Sequence, residues 1–376
     1  MDNPFVYGGA VTGEAFTDRE KEIEELNRDL KSGESVFIIS PRRYGKTSLI
    51  LNVLSQMKSK NIYTLYIDLY KATSLQKLLE LYVREIAKAV ESRVEKMFQF
   101  LKETLPGLRP SISLKPDGSA SIGIDYIPEA SNAMKFLDEI YDLPQEIAVR
   151  KKKQFIIAFD EFQEITSFNG ATIEKAMRAS FQHHNKVSYL FAGSKKKMLY
   201  DMVSDPDRAF YIMGRIMNLS KLPREKFASF LLDAFKRTGY NIERGTIEAI
   251  LTQVEEFPYN AQLLCHRLWD DHCERRTIAL SDLEPALERI ITEYMPIYIS
   301  IWDNLTLPQR QVLQALARTT DNRPFTQEFI VKHQLGGASS VQGSINLLVK
   351  KQILDKENGS FGFTDVFFKE WIKRKM

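Results

Sequence analysis

The sequence predicts an α/β fold with a parallel, doubly wound sheet, followed by a helical segment and a winged helix. Through residue 220, short continuous apolar runs alternate with amphipathic helical patterns. Such runs are typical of strands buried on both faces, and their alternation with helices favours a parallel sheet. From residue 221 the apolar spacing is helical. From residue 301 it predicts three helices followed by a hairpin, which is the order of a winged helix.

The bulk composition is that of a folded protein with more than one domain. The chain has 376 residues, 44% of them hydrophobic and 27% charged. It is too long for one ordinary core and too apolar for disorder. The formal net charge is only +3, so no global field favours a polyanion. We predict three domains, at residues 1–220, 221–300 and 301–376.

The cysteine content favours a reducing compartment. Cys265 and Cys273 lie eight positions apart in a predicted helix, which is about 12 Å along its axis and too far for a disulfide. The neighbouring His266 and His272 are interpreted as incidental side chains rather than metal ligands. The N-terminus lacks a signal-peptide pattern, and the apolar runs are too short to span a membrane. We therefore expect a cytoplasmic protein.

Four apolar runs are the predicted strands of the sheet. In chain order they are SVFIIS, IYTLYIDLY, KKKQFIIAFDEFQEI and VSYLFAGS. Helical patterns separate them. The helical region between the second and third runs is interrupted by a predicted hairpin at about 110–126, with Pro116, Asp117 and Gly118 between its strands.

The segment ISPRRYGKTSLI, residues 38–49, nearly spells a phosphate-binding loop. Gly45, Lys46 and Thr47 occupy signature positions, and Ser40 replaces the first glycine. A predicted strand leads into the loop and a helix begins at Lys46, so backbone N–H groups and the helix dipole would face a phosphate. The predicted nucleotide-binding residues of the loop are Ser40, Pro41, Arg42, Arg43, Tyr44, Gly45, Lys46, Thr47 and Ser48.

The third predicted strand ends in two acids, Asp160 and Glu161. In a phosphoryl-transfer site, Lys46 would reach the β- and γ-phosphates and the Thr47 hydroxyl would ligate Mg²⁺. Asp160 would hold the metal with Thr47, and Glu161 would orient and deprotonate the attacking water. The motifs therefore predict binding of ATP and Mg²⁺.

With these motifs in place, the chain resembles the archaeal-type ATPases of the AAA+/STAND group of P-loop NTPases. The resemblance rests on NPFVYGGAV, PRRYGKTSL, FDEFQEI, LFAGS, MGRIMNLSKL and the C-terminal SSVQGSINLLVKKQIL. It covers essentially the whole chain. It implies an ATPase core of the ASCE/AAA+ type, a helical lid and a C-terminal winged helix.

The resemblance implies roles for further residues. Ser194 would be the polar sensor near the γ-phosphate. Arg215 would contact phosphate, either in cis or from a neighbouring subunit, and Arg208 is its rival. Pro258 matches a lid proline near the adenine, although Glu256 stands where the family often has a glycine.

The function indicated is a Mg²⁺-dependent, ATP-hydrolysing molecular switch, in which nucleotide state rearranges the lid and the winged helix. The alternative is a DNA-binding or protein-adaptor module in which bound nucleotide is structural and turnover is negligible. The paired acids favour hydrolysis. Of Arg42 and Arg43, one would contact phosphate and the other would form a surface salt bridge.

The predicted winged helix does not by itself identify a binding partner. Its candidate recognition helix, ASSVQGSINLLVKK, carries Ser339, Ser340, Gln342 and Ser344 at or near its start, and Lys350 and Lys351 at its end. The first group would read bases and the lysines would meet phosphates. Double-stranded DNA, an unidentified protein and a second copy of the chain all remain open as partners, and a membrane is not expected.

Overall fold

The computed structural model describes residues 2–91, 93–104, 110–114, 120–124, 133–168, 170–319, 323–357 and 359–376. Its α-helices are α1 Glu20–Lys31, α2 Lys46–Met57, α3 Leu75–Val90, α4 Val94–Thr104, α5 Ala133–Lys151, α6 Gly170–Phe181, α7 Lys196–Ser204, α8 Arg224–Arg237, α9 Arg244–Gln253, α10 Pro258–Asp271, α11 Leu283–Asp303, α12 Leu307–Arg318, α13 Gln327–Lys332, α14 Ala338–Lys350 and α15 Val366–Lys375. Its strands are β1 Val36–Ile39, β2 Ile62–Asp68, β3 Pro110–Leu114, β4 Ala120–Ile124, β5 Gln154–Asp160, β6 Val187–Gly193, β7 Arg215–Asn218, β8 Asn241–Ile242, β9 Thr277–Ile278, β10 Leu354–Glu357 and β11 Ser360–Phe363.

Contacts divide the chain into two compact units. The sheet unit comprises residues 19–40 and 46–220, and the helical unit comprises residues 1–18, 41–45 and 221–376. Most of the predicted phosphate loop therefore groups with the helical unit, whereas Ser40 and Lys46 belong to the sheet unit. The three-domain division given above remains a prediction.

A five-stranded parallel sheet organises the sheet unit, in the order β2-β5-β6-β1-β7. The four predicted strands correspond to β1, β2, β5 and β6. The sequence does not predict β7, because only Met217 of its four residues is buried and so it lacks a continuous apolar run. Pairing along β1 holds this short strand in the sheet.

The central strands are buried on both faces. All four residues of β1 are buried, and so are Phe155 to Asp160 of β5, as expected where helices cover both faces of a parallel sheet. Phe191 stacks against Phe37 with ring centroids 4.6 Å apart and against Phe159 at 5.8 Å. Burial of these rings is a main source of stability, and it holds the strand ends where their polar residues can meet.

The predicted hairpin lies between α4 and α5. Strands β3 and β4 pair antiparallel, with Ile112 opposite Ile122. The predicted turn residues Pro116, Asp117 and Gly118 lie outside the described residues. The hairpin belongs to the sheet unit but forms its own two-stranded sheet.

The helical unit contains α8 to α11 and then the winged-helix order of α12, α13, α14, the β10–β11 hairpin and α15. Phe361, Phe363, Phe367, Phe368 and Trp371 are all buried, as expected if they close a small core. α15 supplies three of these side chains. Strands β8 and β9 form a short parallel pair in a region where the sequence predicts only helices.

The helices of the described residues lack the length and apolarity that a membrane span needs. α11 has 21 residues, but charged side chains interrupt it, including Glu284, Glu288, Arg289 and Glu293.

Candidate active site

The carboxyl ends of β1, β5 and β6 meet at one edge of the sheet. Ile39 pairs with Gly193, and Phe159 pairs with Phe191. The residues that follow these strands, Ser40 and Ser194, are therefore at the same edge as Asp160 at the end of β5, and all three are buried. This edge is where open α/β sheets bind their ligands.

The backbone of the phosphate loop passes through left-handed conformations. Arg43 has φ of 70° and Gly45 has φ of 81°. Glycine adopts this conformation without steric cost, whereas arginine does not. α2 begins at Lys46, so its first N–H groups lack helical acceptors and form the positive end of the helix dipole. This is the backbone arrangement that binds a phosphate group.

Thr47 and Asp160 are joined directly. The Thr47 hydroxyl donates a 2.6 Å hydrogen bond to Asp160 Oδ2, and the Tyr66 hydroxyl donates to the same oxygen at 3.0 Å. Burial, and after it the charge of Asp160, raises the pKa of Tyr66 well above its ordinary value. Tyr66 therefore stays protonated and serves as a donor that orients the Asp160 carboxylate.

Lys46 lies between the two acids. Its side chain is only 6% exposed, and its Nζ is 3.5 Å from Glu161 Oε1 and 4.0 Å from Asp160 Oδ1. A buried ammonium needs such counter-charges. Two carboxylates and one ammonium give these three residues a formal charge of −1, which favours the approach of a cation.

Glu161 is held by neighbours on both of its oxygens. The backbone at this residue is left-handed, with φ of 52°, directly after β5 ends. Its Oε2 accepts hydrogen bonds from Ser194 Oγ at 2.8 Å and from Gln163 Nε2 at 2.5 Å, while Lys46 faces Oε1. The structure thus brings together Lys46, Thr47, Asp160, Glu161 and Ser194.

Arg215 is not brought to this cluster. It pairs with Val36 at the start of β1, roughly 10 Å along the strand from the loop end at 3.3 Å per residue. Its Nη1 lies 3.0 Å from Glu25 and its Nε 2.6 Å from Asp29. Contact of Arg215 with phosphate in cis is therefore not supported, and its action on a neighbouring subunit remains a prediction.

The rival arginine is also occupied elsewhere. Arg208 Nε donates a 3.0 Å hydrogen bond to Glu174 Oε2, and a second nitrogen of the guanidinium bonds the other oxygen. Glu174 is buried on α6, so this bidentate pair ties the segment after α7 to α6. The geometry gives Arg208 a structural contact rather than a phosphate contact.

Within the helical unit, Arg43 connects the loop to the winged helix. Its Nη1 lies 3.0 Å from Asp365 Oδ2 and donates to the Thr364 carbonyl at 3.3 Å. The guanidinium also lies 5.1 Å from the centre of the Tyr259 ring. Arg42 borders a cavity of about 470 Å³ with Asn304, Lys351, Gln352 and Asp365. Arg43 thus forms the salt bridge predicted for one of the two arginines.

The remaining loop residues are mostly enclosed. Tyr44 is 2% exposed and its ring meets Phe257 edge-on at 5.5 Å. Phe257 directly precedes Pro258, which is the first residue of α10. Pro41 is half-buried and Ser48 is buried on α2. Within the helical unit, the loop therefore contacts the start of α10, where the lid proline is predicted.

Sequence reasoning missed two residues of the cluster, Tyr66 and Gln163. Tyr66 is part of an apolar run, and in such a run a tyrosine is predicted to be a core residue. Gln163 follows the two acids in a stretch that shows no periodic pattern. Neither position carries a sequence signal for its role, because both act through contacts between separate strands and turns.

Comparison with known protein families matches two regions of the chain. Residues 16–252 match the family described as an ATPase domain predominantly from Archaea. Residues 296–374 match a probable winged helix domain, in the region where the sequence predicts one. No curated protein matches the sequence.

Solved structures share this fold at low sequence identity. A Walker-type ATPase of Pyrococcus abyssi superposes with a TM-score of 0.64 at 16% identity, covering 96% of this chain and 97% of that one. The ORC2 protein of Aeropyrum pernix, in ADPNP–ADP complexes, gives 0.53 at 14% identity over 99% and 98%. The ORC1 protein of the same organism, in complex with DNA, gives 0.52 at 12% identity over 96% and 94%. At these identities the likeness establishes the fold.

Proposed function

This chain belongs to the family of ATPase domains found predominantly in Archaea, and we propose that it is a Mg²⁺-dependent ATP-hydrolysing switch of the AAA+/STAND type. The observation that carries the proposal is the cluster at the sheet edge. There the Thr47 hydroxyl bonds Asp160 while Lys46 faces Glu161. These are the group types that phosphoryl transfer requires, on adjacent strands of one sheet.

The donor set of Thr47 and Asp160 fits Mg²⁺. The cation prefers oxygen ligands and is usually held by one or two protein oxygens together with substrate phosphates and water. The hydroxyl and carboxylate oxygens already lie 2.6 Å apart, so both can face one ion. When bound, Mg²⁺ would neutralise charge on the β- and γ-phosphates.

The protein residues would supply the remaining chemistry. Lys46 would turn from Glu161 to the β- and γ-phosphates, and the N–H groups at the start of α2 would bind phosphate oxygens. Glu161 would take a proton from water as the water oxygen attacks the γ-phosphorus and ADP leaves. Ser194 would fix the carboxylate and report the presence of the γ-phosphate. In such a switch we expect ATP to be hydrolysed slowly.

The switch would act through the loop and the winged helix. Within the helical unit, Arg43 bonds Asp365, which also caps α15 by accepting from the N–H groups of Phe367 and Phe368. A loop that closes on phosphate would change the position of Arg43, and with it the cap of the last helix. ATP binding and hydrolysis would thus be transmitted to the winged helix.

Phosphate release tests the proposal. Glu161→Gln should bind Mg²⁺-ATP normally and release phosphate more slowly by a factor of about 10² or more, because a positioned base is lost. The exposed Glu146 of α5 offers a matched control, and Glu146→Gln should leave turnover unchanged. If Glu161→Gln turns over like the wild type, Glu161 is not the base. Negligible wild-type turnover, with and without DNA, would favour the alternative of a module with structural nucleotide.

A second candidate activity is DNA binding by the winged helix. Ser339, Ser340 and Gln342 are exposed at the start of α14, and Lys350 is exposed at its end. Ser344 is buried and therefore packs in the core instead of reading bases. The neighbour ORC1 was solved with DNA, which supports testing duplex DNA before other partners.

A further inference from the structure

Gln163 lies at the centre of the site, and neither the phosphate loop nor the pair of acids includes it. Its side chain is only 1% exposed, although glutamine is usually a surface residue. Its Nε2 donates a 2.5 Å hydrogen bond to Glu161 Oε2. Because a buried amide is costly unless it is hydrogen-bonded, the placement of Gln163 needs a compensating contact, and the carboxylate of Glu161 supplies it.

The other end of the amide is enclosed against β6. Among the described residues, Gln163 Oε1 is buried without a hydrogen-bond partner. It occupies the space beside Gly193, where an added Cβ would lie 2.1 Å from this oxygen and 2.6 Å from Leu199 Cδ1. The absence of a side chain at Gly193 is what admits Gln163. A flexible surface glutamine would not need a matching glycine on the neighbouring strand.

Glu161 Oε2 therefore receives two donors, Gln163 Nε2 and Ser194 Oγ. Together they form a fork that occupies this oxygen. The other oxygen, Oε1, lies 3.5 Å from Nζ of Lys46, the residue proposed to bind the phosphates. With Oε2 held by the fork, Oε1 is the oxygen presented toward the nucleotide.

We propose that Gln163 is a positioning residue that fixes the rotamer of Glu161, so that Oε1 is the oxygen that takes the proton from the attacking water. This inference rests on the proposed role of Glu161 as the base. Gly193 is the second component, because it makes room for the amide.

The first experiment replaces the donor while keeping the volume. Gln163→Met should lower kcat roughly 10-fold or more, the factor expected for one lost hydrogen bond to a charged group. The KM for ATP and the affinity for ATP should stay unchanged, because Gln163 does not touch the phosphates. Gln182→Met, at an exposed glutamine, is the control.

The second experiment fills the space beside Gly193. Gly193→Ala should push the amide away from Glu161 and lower kcat like Gln163→Met. In a Gln163→Ala background the amide is gone and only the flexible end of Leu199 must shift, so the same Gly193→Ala change should lower kcat by less than about twofold. Two independent substitutions would then have one common effect, which is the mark of coupled residues.

The outcomes distinguish a failure of the proposed role of Gln163 from a failure of the proposed role of Glu161. If Glu161→Gln abolishes turnover while Gln163→Met keeps the wild-type kcat, Gln163 does not position the base. A fall in ATP affinity and melting temperature in parallel with kcat would make Gln163 a structural residue and also overturn the inference. If Glu161→Gln leaves turnover unchanged, it is the proposed role of Glu161 that fails.

Discussion

The Thr47 hydroxyl lies 2.6 Å from Asp160 Oδ2 and donates a hydrogen bond to it. Thr47 is on α2 and Asp160 ends β5, so two separate elements present their oxygens to one point at the edge of the sheet. Tyr66, on the neighbouring strand β2, adds a second donor to the same carboxylate oxygen. The candidate metal ligands are therefore oriented by the protein itself before any ion is bound.

The first prediction concerns Tyr66. Tyr66→Phe removes the phenol that orients Asp160, and such outer contacts typically change metal affinity by 10- to 100-fold. The Mg²⁺ concentration for half-maximal ATPase activity should rise by about tenfold, with little change in maximal rate. Titration of activity with Mg²⁺ measures this. Tyr63→Phe, earlier on the same strand, is the control, and an unchanged Mg²⁺ requirement in Tyr66→Phe would remove Tyr66 from the site.

Lys46 should be indispensable for nucleotide binding. Lys46→Ala removes the buried cation that would neutralise the β- and γ-phosphates, and it leaves Glu161 and Asp160 without their counter-charge. We expect loss of detectable ATP binding in equilibrium titration. The exposed Lys58, just after α2, offers a control in Lys58→Ala. Binding of ATP by Lys46→Ala at wild-type affinity would show that the loop does not hold the phosphates as proposed.

The link between Arg43 and Asp365 should carry the nucleotide signal rather than stability. The pair is partly exposed, and such pairs contribute at most about 1 kcal/mol. Arg43→Ala should therefore leave the melting temperature nearly unchanged. It should abolish the ATP-dependent difference in hydrogen exchange of α15 that we expect in the wild type.

Asp365 and a surface arginine provide the comparison for that experiment. Asp365→Ser retains a side chain that can cap α15 but removes the ion pair, and should behave like Arg43→Ala. Arg318→Ala, at an exposed arginine of the helical unit, should keep the ATP-dependent exchange. If the difference persists in Arg43→Ala, the signal follows another route.

The sequence predicts the main sheet and the centre of the site well, for a physical reason. Continuous apolar runs identify β1, β5 and β6, and the residues at their carboxyl ends must meet if the strands are parallel. Asp160 and Glu161 are predicted in this way, whereas Lys46 and Thr47 are predicted from the phosphate-loop signature. The contacts of Gln163 with Gly193 depend on packing between a turn and a strand, which no local pattern encodes.

For Arg215, the sequence does not predict the position in the sheet. Its segment resembles one that carries a functional arginine, yet the register of β7 against β1 places Arg215 at the amino end of the sheet beside Glu25 and Asp29. Register is set by pairing between strands distant in sequence. A short strand with one buried residue gives no sequence signal for it.

The stability of the sheet unit should depend on pH through His184. Its ring bonds the Tyr189 hydroxyl at 2.6 Å and Asp142 at 3.0 Å, and burial lowers its pKa below the ordinary value, partly offset by Asp142. The unfolded chain binds a proton at this residue more readily than the folded chain. The contribution is thus present above about pH 6.5 and is lost as pH falls, by up to about 1.4 kcal/mol per pH unit.

Thermal unfolding between pH 7 and pH 5 measures this effect. His184→Gln should flatten the fall in melting temperature, whatever its effect at pH 7. The neighbouring His183 is exposed, and His183→Gln should keep the wild-type slope. An unaltered slope in His184→Gln would assign the acid sensitivity to other groups.

The last prediction concerns duplex DNA and the winged helix. Several basic residues near the end of the chain are already paired with acids of the helical unit. Lys369 bonds Glu255 and Lys375 bonds Glu288, each at 2.7 Å, and Arg374 bonds Glu284. Lys350 and Lys351 are exposed at the end of α14 and Lys356 is exposed on β10, and we expect these three to face phosphates. At about 0.9 per neutralised phosphate, the log–log salt slope should have a magnitude of about 2 to 3.

Charge reversal tests whether the winged helix binds DNA through these lysines. Lys350→Glu with Lys351→Glu should weaken binding equally on every DNA sequence, reduce the salt slope by about 2, and leave ATP affinity intact. Reversal of the exposed Lys236 and Arg237 of α8 changes the net charge by the same amount and should have a much smaller effect. If the ATP-loaded wild type does not bind duplex even at low salt, the nucleic-acid hypothesis fails. The exposed residues Ser339, Ser340 and Gln342 would then be better explained as a surface for docking a protein.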